Sequence, residues 1–103
     1  MTRHARKIDR NHGEIRNGLL RCGYELFDAF RLGFGWPDLY VRSKSGEWVW
    51  IEVKMPGEPM TEAEARWWKR YDGPGMIAYS LEQALEWLHK IDEGGQNASG
   101  NRI

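Results

Sequence analysis

Seven residues, Trp48-Val49-Trp50-Ile51-Glu52-Val53-Lys54, limit this chain more than any others. The run is aromatic and β-branched, which favours a strand, and it is apolar at consecutive positions from Trp48 to Ile51. Successive side chains of a strand point to opposite faces, so such a segment needs cover on both. It then places Glu52 and Lys54 on one face and Val53 on the other. Ionised groups at the end of a covered strand lose hydration worth several kcal/mol unless a salt bridge or a cation replaces it. A second strand-like segment, Gly35 to Val41, precedes it, and the Ser43-Lys44-Ser45-Gly46 cluster between them can reverse the chain, so the two read as a hairpin.

Pairing in that hairpin lets Asp38, at the start of the first strand, converge with Glu52 at one end of the sheet. Rigid Pro37 and Gly35, which permits a tight turn, set the direction of Asp38. Two carboxylates there offer hard oxygen ligands for Mg²⁺, with the Lys54 ammonium beside them. The set suits phosphodiester hydrolysis, because a cation can bind the scissile phosphate and activate water while the lysine holds that water and offsets developing charge. The plainer reading is an ion-pair network that only holds the sheet together.

Pro37-Asp38 followed by Glu52-Val53-Lys54 resembles the PD-(D/E)xK nuclease signature, and more closely the virus-type replication-repair nuclease family with its small stand-alone phage members. The family order is a helix bearing a Glu, a Gly-x-Pro-Asp-Leu strand, a Glu-x-Lys strand, a helix opened by Ser or Thr, a strand and a last helix. Here the matching parts are Glu14, Gly35 to Leu39, Ile51 to Lys54, Thr61 to Trp68, Met76 to Tyr79 and Leu81 to Leu88. The resemblance runs from Asp9 to Ile91. It departs where the family carries a Gln after the helix cap and this chain has Glu64. It implies an α/β, restriction-endonuclease-like core, a mixed β-sheet flanked by helices in the order α-β-β-β-α-β-α. It also implies a Mg²⁺- or Mn²⁺-dependent endodeoxyribonuclease selective for branched DNA such as Holliday junctions, working as a homodimer, in a phage or mobile-element setting. In that role Asp38 and Glu52 bind the metal, the Val53 backbone carbonyl adds a third oxygen, Lys54 positions the attacking water, and Glu14 completes the site directly or through water.

With 103 residues the chain has room for one domain, placed at 9–93 between a basic arm at 1–8 and a Gly/Asn/Ser-rich tail at 94–103 expected to be disordered. Six Trp and three Phe point to a packed core rather than a disordered segment. A lone Cys22 cannot form an internal disulfide, and no segment reads as a membrane span or secretory signal, so a reducing, cytoplasmic setting is expected. Zero net charge argues against coating nucleic acid by charge alone. The charge is uneven, with ten Lys/Arg against seven Asp/Glu up to Lys54 and five against eight after it. So small a chain has little surface for a four-way junction, which favours a dimer joined through the aromatic surplus.

Arg3, Arg6 and Lys7 form either a DNA-contacting arm or a frayed basic terminus, and Arg10 just after it is a further candidate for DNA contact. Asn11 and Glu14 have capping-box spacing, so Glu14 is a helix-start residue or a metal partner, and Ile15, Leu19 and Cys22 recur at helical period until Gly23. Tyr24 to Phe30 reads as a strand with Leu26 and Phe27 on opposite faces, and Arg31 is a phosphate clamp or an ordinary exposed arginine. Thr61 and Glu64 make a second capping box, opening a helix with a buried stripe of Ala65, Trp68 and Tyr71. Its Arg66, Lys69 and Arg70 stay exposed, solvated or against a DNA backbone. Ser80 and Gln83 open the last helix, with Leu81, Ala84, Leu85 and Leu88 on its apolar face. The helical connection from the Glu-x-Lys strand to the Met76 strand predicts a parallel crossover. No paired His or Cys spacing suggests zinc, and no glycine-rich loop follows a strand in phosphate-binding order. The competing functional reading is a catalytically silent module that grips DNA or a replication protein.

Overall fold

A four-stranded mixed sheet in the spatial order β1-β2-β3-β4 carries helices on both faces in the computed structural model, which describes residues 10–94. The elements are α1 (Arg10–Arg21), β1 (Glu25–Asp28), a 3₁₀ turn (Phe30–Leu32), β2 (Leu39–Arg42), β3 (Trp48–Val53), α2 (Glu62–Arg70), β4 (Gly75–Ala78) and α3 (Leu81–Asp92). β1 pairs antiparallel with β2, and β2 with β3, which is the expected hairpin. β3 and β4 are parallel, with α2 in their connection, as the crossover length predicts. Arg3, Arg6, Lys7 and nearly all of the expected tail lie outside the described residues, as does the side chain of Arg10. Among the described residues no helix is long and apolar enough to cross a membrane.

Strand alternation divides the interior in two. Leu39, Val41, Val49, Ile51, Val53, Met76 and Ala78 face α1 and α3, where they meet Ile15, Leu19, Ala84, Leu88 and Ile91. Full burial of each such large aliphatic side chain contributes about 1.5–3 kcal/mol. The opposite face is aromatic: Trp50 and Trp68 are buried there, with Tyr40, Met60, Trp67 and Tyr71 packed around them. Glu52 follows Trp50 by two residues, so the charged end of β3 shares the face that α2 covers.

Local chemistry sets the boundaries. Gly23, at φ 88°, ends α1 in a Schellman-type closure, with Tyr24 N–H to Leu19 C=O and Gly23 N–H to Leu20 C=O, both at 3.0 Å. Thr61 caps α2, its hydroxyl accepting from the Glu64 amide while the Glu64 carboxylate accepts from the Thr61 amide, which is the predicted capping box. Ser80 caps α3 by accepting from the Gln83 amide.

Four expectations need correction. Asn11 lies inside α1 and does not cap it, so the Asn11–Glu14 pair is no capping box. Gly33 to Trp36 form a turn closed by Trp36 N–H to Gly33 C=O at 3.0 Å, and β2 starts only at Leu39, because positive φ at Phe34 and Gly35 is incompatible with extended pairing. β1 stops at Asp28, whose carboxylate accepts from the Phe30 amide at 3.1 Å and draws the chain into the 3₁₀ turn. On α2, Ala65 is exposed and Glu64 buried, so the inward stripe is Glu64, Trp67, Trp68 and Tyr71. A carboxylate can hold that place because a lysine meets it there.

Candidate active site

The β2–β3 register, with Leu39 opposite Ile51, brings Asp38 level with Glu52 at the sheet end. Asp38 Oδ2 accepts the Val53 amide hydrogen at 2.8 Å, a bond that fixes the carboxylate against β3 just past the last paired residues. Ala29 N–H donates to the Asp38 carbonyl at 2.7 Å, so main chain and side chain are held from opposite sides.

Glu52 is 1 % exposed, and neither of its carboxylate oxygens has a hydrogen-bond partner among the described residues. Burial pushes its carboxyl up to about 10, the neighbouring charges of Asp38 and Glu64 push in the same direction, and Lys54 opposes them only in part. Without a cation, Glu52 therefore keeps its proton at neutral pH.

The Lys54 ammonium, on the same face, lies 2.8 Å from Glu64 Oε1 and 3.4 Å from Glu58 Oε2. Burial alone lowers its pKa, but Glu64, Glu52 and Glu58 outweigh burial and raise it, so the amine stays charged. Glu64 Oε1 also accepts from Thr61 N–H at 2.9 Å, and Glu58 Oε1 from Met55 N–H at 2.8 Å. The start of α2 and the Met55–Glu58 turn are thus tied to one lysine. Gly35 lies close beneath α2, where a β-carbon would run into the Ala63 carbonyl.

The donor set suits a hard divalent cation. Mg²⁺ is commonly held by one or two carboxylates with water and substrate phosphate completing its octahedron. Glu52 offers two unsatisfied buried oxygens facing a second carboxylate, and Val53 follows it directly at the strand end. No cage forms: among the described residues no three His, Cys, Asp or Glu side chains gather closely enough to hold a metal. Glu14 is exposed on α1 and lines an open cleft of about 350 Å³ with Asn11, Met55, Pro56 and Tyr79.

Asn11 does unforeseen work beside that cleft. Its amide nitrogen donates to the Lys54 carbonyl at 2.9 Å and the Tyr79 carbonyl at 3.0 Å, clipping together the chain just past β3 and β4. Capping-box spacing was a signal for Glu64, whereas for Asn11 the same spacing pointed only to a helix cap, because the partners of its amide are 43 and 68 residues away. His12 is also buried, with Nε2 3.0 Å from Asp28 Oδ2, which Arg16 reaches at 3.1 Å. Arg31, Arg66, Lys69 and Arg70 are all exposed, the last three on α2.

Compared with known protein families, curated proteins and solved structures, the chain matches none of them.

Proposed function

We propose that this protein is a Mg²⁺- or Mn²⁺-dependent endodeoxyribonuclease on a restriction-endonuclease-like core, related to the virus-type replication-repair nucleases and acting on branched DNA as a homodimer. The observation that carries the reading is the buried Asp38–Glu52 pair, whose Glu52 oxygens have no partner among the described residues, with the Lys54 ammonium on the same face. Two apposed carboxyls of which one must stay protonated form an expensive arrangement for a purely structural role. A bound divalent ion would supply Lewis acidity for the attacking water and the scissile phosphate.

The chain's own residues set the rest. Asp38 and Glu52 would hold the ion with the Val53 carbonyl, and the Asp38–Val53 bond keeps the first carboxylate aimed. Lys54, kept protonated by Glu64, Glu52 and Glu58, donates hydrogen bonds to the attacking water or a phosphate oxygen; as an ammonium it does not act as the base. Exposed Arg66, Lys69 and Arg70 on α2 offer phosphate contacts on the same side of the sheet.

One observation favours a second reading, a catalytically silent DNA- or protein-binding module. Asp38, Glu52 and Lys54 are 3 %, 1 % and 4 % exposed, so a phosphate reaches them only if a covering segment moves. Labelled branched and linear DNAs incubated with Mg²⁺ or Mn²⁺ decide between the two. The nuclease reading expects cleavage that Lys54→Ala and Glu52→Gln both abolish while folding persists. A silent module cuts nothing, and calorimetric titration of Mn²⁺ then shows no binding that depends on Glu52.

A further inference from the structure

On the aromatic face, beside the carboxylates, a hollow of about 430 Å³ is lined by Phe34, Trp36, Trp67, Arg70 and Tyr71. Its volume falls within the roughly 300–1,000 Å³ of small-molecule sites. The rings inside are mutually braced: Trp36 lies 5.4 Å from Trp67 between centroids, and Trp67 stacks on Tyr71 at 4.9 Å. Phe34 differs. It is 92 % exposed and held at φ 56° between Gly33 and Gly35, both also at positive φ, in a turn that projects a bulky ring into water. A non-glycine aromatic residue rarely adopts that backbone, and an apolar ring held so openly at the mouth of an aromatic hollow has no covering partner among the described residues.

Charge narrows the class of partner. Arg70 lines the hollow and Lys69 precedes Arg70 on α2, both exposed and neither ion-paired among the described residues, whereas Arg66 is drawn to Glu62 at 3.6 Å. Flat rings bordered by unpaired cations complement a ligand that couples a π-face to an anion, as a nucleotide does. Position fits as well. Trp36 and Trp50 pack at 5.5 Å, and each precedes a site carboxylate, Asp38 or Glu52, by two residues, so the hollow begins within about 7 Å of chain from the pair.

We infer that this hollow receives an unpaired nucleobase, stacked between Phe34 and the Trp36–Trp67 wall with Arg70 on its phosphate, so that the preferred DNA carries single-stranded nucleotides next to the cut. This rests on the DNA reading of the carboxylate site and adds the substrate feature that the site recognises.

The test is performed in EDTA, where no cutting occurs, by fluorescence anisotropy of a labelled 12-mer of dT, an abasic 12-mer with the same phosphates, and a blunt 12-base-pair duplex. Wild type is expected to bind dT more tightly than the abasic strand. Phe34→Ala should weaken dT binding roughly five- to a hundredfold, from the usual worth of one base–aromatic stack, and leave the duplex unchanged. Arg70→Gln should weaken all three and lower the salt slope by about one. Equal affinity for dT and abasic strands, no dT binding by wild type, or unchanged dT binding by Phe34→Ala would each overturn the inference. So would sedimentation showing that Phe34→Ala only splits a dimer, which would make the patch an interface between copies. A protein that binds dT through Phe34 yet never cuts DNA with metal refutes the nuclease reading alone. One that cuts branched DNA but ignores Phe34 refutes only the base pocket.

Discussion

Lys54 Nζ donates to Glu64 Oε1 at 2.8 Å, with both side chains buried. Glu64 thereby closes a helix cap and neutralises the Lys54 ammonium. The two duties separate by substitution.

Glu64→Gln keeps an acceptor for Thr61 N–H and for Lys54 while removing the charge. Stability should fall by about 1–3 kcal/mol in urea melts at pH 7, and Glu64→Ala should lose more because the cap goes too. The Lys54 pKa is raised in the fold, so the pair's contribution is complete below the ordinary lysine value of 10.5 and is lost only as pH rises beyond it. The alkaline limb of any cleavage profile should accordingly move to lower pH in Glu64→Gln.

Glu52 gives the opposite pH signature. Its carboxyl rises from 4.5 to about 10, so below pH 4.5 folded and unfolded chains are both protonated, while above it only the unfolded chain ionises. Metal-free stability should therefore decline as pH rises from 4.5 towards 10. Glu52→Gln should flatten that decline and, at pH 8, be more stable than wild type by on the order of 2 kcal/mol or more. Mn²⁺ should reverse the order, raising the wild-type melting temperature increasingly with pH and leaving Glu52→Gln unaffected. Calorimetric scans at several pH values, with and without Mn²⁺, read both effects.

Asn11→Ala removes the donor shared by the Lys54 and Tyr79 carbonyls. Leaving such acceptors without it costs about 1–3 kcal/mol. Hydrogen exchange should show the loss concentrated at the far ends of β3 and β4, with β1 little changed.

Gly35→Ala and Gly57→Ala form a matched pair. Their φ angles are nearly equal, 85° and 83°, but a β-carbon at Gly57 meets nothing within 4 Å whereas one at Gly35 strikes the Ala63 carbonyl. Gly57→Ala should cost only the left-handed backbone penalty of about 1–2 kcal/mol. Gly35→Ala should cost clearly more, and thermal melts of the two variants measure the difference.

Whatever is encoded locally is legible in the order of the amino acids. Alternation through Trp48–Val53, the Thr61 and Ser80 caps, the glycine after α1 and the length of the β3–β4 connection were enough for the element order, the hairpin and the parallel crossover, because each depends on side chains a few residues apart. Asp38 and Glu52 were legible for the same reason, since hairpin pairing carries both to one end. The rest follows from how distant elements pack. Three-dimensional packing made Glu64 a buried counter-ion, left Glu14 exposed at an open cleft, and turned Asn11 from an expected cap into a clip between β3 and β4. These outcomes depend on the approach of elements tens of residues apart, and the energy of a buried charge or amide is set by what surrounds it rather than by its neighbours in the chain.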